Sequence, residues 1–194
     1  MLHRVAITGL GIVSSIGTSL SEVTDALYHG RSGIVIDPVR QDLGFNSPLT
    51  GAIKNFSPRF PLNRKQRKTT PQFVEWAAEA AFCALDDSGL SSDDIRNDRS
   101  GLIFGCDSSV LAGIEQANRL EELRDTSRLG SGLVFQSMTS TTTINLNAIL
   151  GTQGASWSIS GACASSGHAV GQAADLIMLG RQDRIICGGA QEIN

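Results

Sequence analysis

The chain has few cysteines and no paired ones. Cys83, Cys106, Cys163 and Cys187 are its only four, widely separated and without a CxxC pair. That argues against a zinc site or a dithiol redox centre. No stretch approaches the length of a membrane span. The first apolar run, within Met1 to Gly9, is too short for a secretion signal and has no cleavage site of the usual kind. Basic excess is missing as well. The formal net charge is -3, so the chain as a whole carries no nucleic-acid footprint. A cytoplasmic protein with reduced thiols is the expectation, binding neither membrane nor nucleic acid.

What is present suits one folded domain. The chain has 194 residues, 41% of them hydrophobic and 18% charged, and its 21 glycines imply many tight turns. Strands and helices alternate. Val5 to Thr8 reads as a buried strand. Ser19-x-x-Glu22 resembles a capping box ahead of Leu20, Val23, Leu27 and Tyr28. Residues 33–71 read as a long irregular excursion. Thr70-Pro71 reads as an N-cap followed by proline at the first helical position. Phe73, Trp76, Ala77, Ala80, Ala81 and Ala84 then form one helical stripe. Leu102 to Phe104 is a short buried strand, and residues 111–123 and 140–150 read as helices. Trp157 to Ile159 ends a strand, Val170 to Met178 carries a helical stripe, and Ile185 to Cys187 is a last strand. This alternation predicts an α/β domain with a mostly parallel sheet covered by helices.

Cys163 is the most informative residue. It lies in Ser160-Gly161-Ala162-Cys163-Ala164-Ser165, at a sharp strand-to-helix turn where free N–H groups and the helix dipole favour a thiolate. A buried turn using Cys as a small hydrophobe fits the local sequence equally well. Cys83 and Cys187, inside apolar runs, read as packed small hydrophobes. Gly9-Leu10-Gly11 invites a dinucleotide reading. Ser14 stands where the third glycine belongs, so a tight backbone path is preferred. Arg59, Arg64, Lys65, Arg67 and Lys68 form a basic run, either a solvated loop or a dock for an acidic partner. Around Cys163 the G-x-S-x-G elbow fails, because Ser165 replaces its second glycine. His168, five positions along the helix, sits about 140° around the axis from Cys163. His3 and His29 have no feature tying them to it. The chain offers a nucleophile without an obvious base.

At this point the residues resemble a known family, the β-ketoacyl-acyl-carrier-protein synthases or condensing enzymes. Arg4 to Gly17 is similar to their opening segment. Gly30-Arg31-Ser32-Gly33-Ile34 matches their G-x-S-G-I, and Ala162-Cys163-Ala164-Ser165 matches their nucleophile motif. Gly188-Gly189-Ala190-Gln191-Glu192 resembles G-G-x-E-E, with Gln191 replacing one acid. The similarity is greatest to the bacterial type I enzymes. It implies a thiolase-like fold, of which residues 1–194 would be the N-terminal ketoacyl-synthase domain with the C-terminal half absent. The expectation is a fragment, a truncation or one piece of a split protein. It also implies acyl transfer to Cys163 and condensation with malonyl-acyl carrier protein. Cys163 would be the nucleophile, and its backbone N–H an oxyanion donor. Substrates would ride on carrier-protein phosphopantetheine, with no free cofactor. Acyl carrier protein is the expected partner, together with a homodimer mate or a complementary half covering exposed apolar surface. The family's two histidine motifs have no counterpart in this sequence. A non-catalytic chain-length-factor-like subunit is the alternative, against which Cys163 itself counts.

Overall fold

The structure, a computed structural model, describes residues 3–193. Met1, Leu2 and Asn194 lie outside the described residues. At the centre is β3 (Ser100–Gly105), buried at every position. It runs between β4 (Ser156–Ile159) and β5 (Arg184–Gly189), parallel to both, in the order β4-β3-β5. A strand covered on both faces needs apolar side chains throughout, and Leu102-Ile103-Phe104 supplies them. A small antiparallel pair, β1 (Val35–Ile36) and β2 (Leu49–Thr50), stands apart.

Helices lie on both faces of the parallel sheet. On one face, Leu102 and Phe104 join a core cluster with Ala77, Ala78, Ala81 and Leu85 of α4 (Gln72–Ser88) and Leu146 and Leu150 of α8 (Thr141–Leu150). The other face carries α9 (Ser165–Met178), which buries Ser165, Ala169 and Ala173. The remaining helices are α1 (Leu20–Tyr28), α2 (Pro38–Asp42), α3 (Arg64–Arg67), α5 (Ser92–Ile95), α6 (Leu111–Leu123) and α7 (Gly132–Gln136). Among the described residues no helix is long and apolar enough to cross a membrane.

Several local expectations change. Val5 to Thr8 forms no strand, and Val5 and Ile7 are exposed. An apolar run alone does not make a strand, which also needs a ladder partner, and none pairs with this one among the described residues. Instead the segment crosses α4. A Cβ on Gly9 or Gly11 would come under 3.0 Å from the carbonyl oxygens of Ala84 and Ala80. The Leu10 N–H donates to Asp87 at 2.9 Å. The two glycines and the small face of α4 therefore fit each other, and Gly9-Leu10-Gly11 is a close-packing device.

The Thr70-Pro71 cap moves by one residue. Pro71 is the N-cap of α4, and the Thr70 hydroxyl turns back to the Gln66 carbonyl at 2.8 Å and Asn145 Oδ1 at 3.0 Å. Cys83 is no plain core hydrophobe. Arg59 Nη2 lies 2.8 Å from its sulfur, while the same guanidinium pairs with the buried Glu79. Helix α1 buries only Val23 and Ala26, so Leu27 and Tyr28 of its stripe face outward. Ser19 caps α1 as expected through the Glu22 N–H, but the Glu22 carboxylate reaches Thr18 N–H at 2.7 Å, one residue before the box position.

Two glycine substitutions separate close packing from ordinary helix propensity. Gly11→Ala should destabilise the chain by about 1–3 kcal/mol, because the new methyl meets backbone. Gly113→Ala, inside α6 with its nearest neighbour 3.7 Å away, should stabilise by about 0.5–1 kcal/mol. Urea unfolding of both variants checks this, and equal midpoints would contradict it.

Candidate active site

Because β3, β4 and β5 are parallel, their carboxyl ends share one edge, the usual ligand edge of an open α/β sheet. Gly105 is register partner to both Ile159 and Gly189 there. After β4 the chain turns back over this edge and enters α9. A Cβ on Gly105 would come under 3.0 Å from the backbone of Ser165, and one on Gly189 under 3.0 Å from the Ser166 side chain. Two strand ends without side chains thus seat the first turn of α9 directly on the sheet.

Cys163 lies in the 3-10 turn Ala162–Ala164 between β4 and α9, and it is exposed. Several polar groups of the turn are engaged. Gly161 N–H donates to Ser165 Oγ at 2.8 Å, and that hydroxyl donates to the Ala162 carbonyl at 2.7 Å. Ala164 N–H donates to the Gly161 carbonyl at 3.0 Å. Ser160 Oγ donates to Asp107 Oδ1 at 2.5 Å. Ala162, immediately before the thiol, has φ +49°. A left-handed L-residue costs about 1–2 kcal/mol and persists only where its surroundings hold it. The result is a reverse bend that carries the next side chain away from the sheet.

The other sequence-flagged residues are elsewhere. Cys106 is buried one residue past β3, Cys187 is half-buried in β5, and burial pushes both thiols up. Burial also raises the Cys83 thiol, with Arg59 acting in the opposite direction. His168 lies against Gly161, and among the described residues no hydrogen bond joins it to Cys163. His3 sits at the far end of α9, its N–H donating to the Met178 carbonyl. His29 bonds Asp25 on α1. The basic run splits: Arg59 is spent on Glu79 and Asp86, while Arg64, Lys65 and Arg67 stand exposed on α3.

Sequence reasoning missed Asp107 and the work of Glu192. The Glu192 carboxylate is buried, accepting from Ser108 Oγ at 2.9 Å, Val110 N–H at 2.5 Å and Leu111 N–H at 3.2 Å. It therefore caps the N-terminus of α6 from the tail of β5, where negative charge is favoured. The available signal was positional: a polar residue just past the end of a parallel strand falls on the ligand edge. A cleft of about 310 Å³ lies beside that edge, lined among others by Val13, Phe73, Trp76, Gly189 and Ala190, and Cys163 is outside its lining.

The family model for the β-ketoacyl synthase N-terminal domain matches residues 2–194. The chain is 33% identical over 194 residues to 3-oxoacyl-[acyl-carrier-protein] synthase 1 of Haemophilus influenzae, covering 100% of this chain and 48% of that protein. It spans about half the length of the curated relatives it matches. A crystal structure of a β-ketoacyl synthase from Burkholderia phymatum superposes with a TM-score of 0.80 at 28% identity, over 94% of this chain and 45% of that one. The ishigamide ketosynthase/chain length factor gives 0.85 at 25% identity, over 97% and 47%. The α/β architecture is thus the thiolase-like fold of ketosynthases.

Exposure ranks the thiols. Iodoacetamide at pH 7 should modify Cys163 first and leave Cys106 untouched while the chain is folded. Peptide mass mapping over time checks the order, and modification of Cys106 or Cys187 ahead of Cys163 would contradict it.

Proposed function

This chain belongs to the β-ketoacyl synthase family through its N-terminal domain, and from that premise we propose that it carries the acyl-accepting cysteine of a 3-oxoacyl-acyl-carrier-protein synthase. The observation that carries the reading is the exposed Cys163 on a left-handed bend at the amino end of α9. In the proposed step the Cys163 thiolate attacks the carbonyl of an acyl thioester. A sulfur–carbon bond forms to Cys163, the bond to the phosphopantetheine sulfur breaks, and that sulfur leaves with the electron pair. The Cys163 backbone N–H is one donor to the oxyanion, and N–H groups of the first turn of α9 add positive potential.

Condensation then follows. A malonyl thioester loses its carboxylate as CO2, and the carbanion left behind attacks the acyl-Cys163 carbonyl. The new carbon–carbon bond releases the thiolate and yields a 3-oxoacyl thioester in fatty acid or polyketide-like synthesis. No histidine among the described residues is hydrogen-bonded to Cys163, so this chain is assigned acyl acceptance and not the later steps. Residues 1–194 act as one N-terminal domain in this reading. A non-catalytic binding subunit is disfavoured, because it has no use for an exposed thiol on a strained bend.

The donor is assigned as acyl carrier protein, docking on α3, where Arg64, Lys65 and Arg67 face solvent and form no ion pair among the described residues. Exposed apolar residues such as Trp157 on edge strand β4, Ile144 on α8 and Val170 on α9 are assigned to a covering surface. That surface is a second copy of the chain or a complementary half.

With an acyl-carrier-protein thioester as donor, intact mass spectrometry should show one acyl group added, absent in Cys163→Ser. Arg64→Glu with Arg67→Glu should slow this transfer at least about tenfold at low salt while leaving transfer from a small N-acetylcysteamine thioester unchanged. An adduct surviving Cys163→Ser would overturn the acyl-enzyme, and equal slowing with both donors would overturn the docking assignment. Sedimentation should report self-association of the chain, and a clean stable monomer would contradict the covered-surface reading.

A further inference from the structure

The ladder between β3 and β4 ends where Cys106 N–H donates to the Ile159 carbonyl at 3.0 Å. One residue further along each strand, side chains continue the register. Asp107 Oδ1 accepts from Ser160 Oγ at 2.5 Å, across 53 positions of sequence. The backbone N–H of Ala162 faces the same carboxylate and helps to lower its pKa. The other bonds of the turn, from Gly161, Ala164 and Ser165, are local and would travel with it if it rotated. Among the described residues, Asp107 alone ties the turn by side chain to the central strand.

We infer that Asp107 is a positioning residue for the nucleophile: its carboxylate clamps Ser160 and Ala162 so that the left-handed bend at Ala162 presents Cys163 at the strand edge. This rests on the acyl-enzyme reading above. The physical need is local. Ala162 occupies a conformation an L-residue avoids, so something outside the turn must hold it there. A carboxylate bonded to the Ser160 hydroxyl at the end of a buried strand is such a hold. In keeping with this, the Ser160 hydroxyl and then the Ala162 N–H hold the Asp107 carboxyl below the usual carboxylate range. Asparagine keeps an acceptor oxygen in the same place without the charge, and alanine removes it.

The test compares Asp107→Ala with Asp107→Asn in the whole chain, using two readouts. Amide hydrogen exchange at Ala162 reports the clamp whether or not the chain reacts. Acylation of Cys163 by an N-acetylcysteamine thioester reports positioning. Asp107→Ala should speed exchange at Ala162 and slow acylation, each at least about tenfold. Asp107→Asn should stay within about threefold of the unsubstituted chain in both. Adding Ala162→Gly, which relieves the left-handed conformation, should restore part of the acylation rate lost in Asp107→Ala. Unchanged exchange in Asp107→Ala overturns the clamp. Faster exchange with unchanged acylation overturns the positioning role. If Asp107→Ala does not fold, Asp107→Asn decides: acylation slowed as much as tenfold there overturns the acceptor account. A chain that the thioester never acylates overturns the acyl-enzyme reading instead, and the exchange comparison then decides the clamp by itself.

Discussion

The structure depends on one close approach: the first turn of α9 resting on the bare carboxyl ends of β3 and β5. Gly105 and Gly189 leave no side chain where the backbone of Ser165 and the side chain of Ser166 must pass. With α9 seated there, the link from β4 has only a few residues in which to reverse. Within that short link Ala162 takes the left-handed conformation and Cys163 is exposed. An exposed thiol beside the amino end of a 14-residue helix follows from packing at two glycines some eighty residues apart in sequence. The chemistry proposed for Cys163 is therefore a consequence of how helix meets sheet.

A second layer of contacts holds the loop after β3 in place. Asp107 reaches across to the nucleophile turn, and Glu192 reaches back from the tail of β5 to cap α6. Two carboxylates thus brace the segments that leave the strand edge, one on each side of β3. Each uses its charge where donors are otherwise unsatisfied, at a bent turn and at a helix N-terminus. The Gly188 to Glu192 segment combines both devices, a glycine for close approach and an acid for capping.

Much of this was legible from residue pattern. Helices α4, α6, α8 and α9 and the three parallel strands stand where residue pattern placed them; α4, α8 and α9 each bury several side chains, whereas α6 buries only Ala112. The first segment misled, since Val5 to Thr8 has the composition of a strand but has no pairing neighbour among the described residues, and hydrogen-bond partners are not written in local sequence. The stripe of α1 misled for a related reason: spacing marks a face, and only tertiary contact decides whether it is covered. In the site, Cys163 stood out by its small neighbours and the following helix. Asp107 did not, because its partners Ser160 and Ala162 are brought to it by strand register alone. Gly105 and Gly189 were visible as glycines, but their purpose required knowing which helix crosses them.

The account turns on whether the seat of α9 controls the thiol. The most direct measurement is the rate at which an acyl thioester modifies Cys163 in Gly105→Ala, with circular dichroism confirming that the variant is folded. The methyl group must displace the Ser165 backbone, so the account predicts a folded chain whose Cys163 is acylated at least about tenfold more slowly. A folded Gly105→Ala chain acylated at the unsubstituted rate would contradict it.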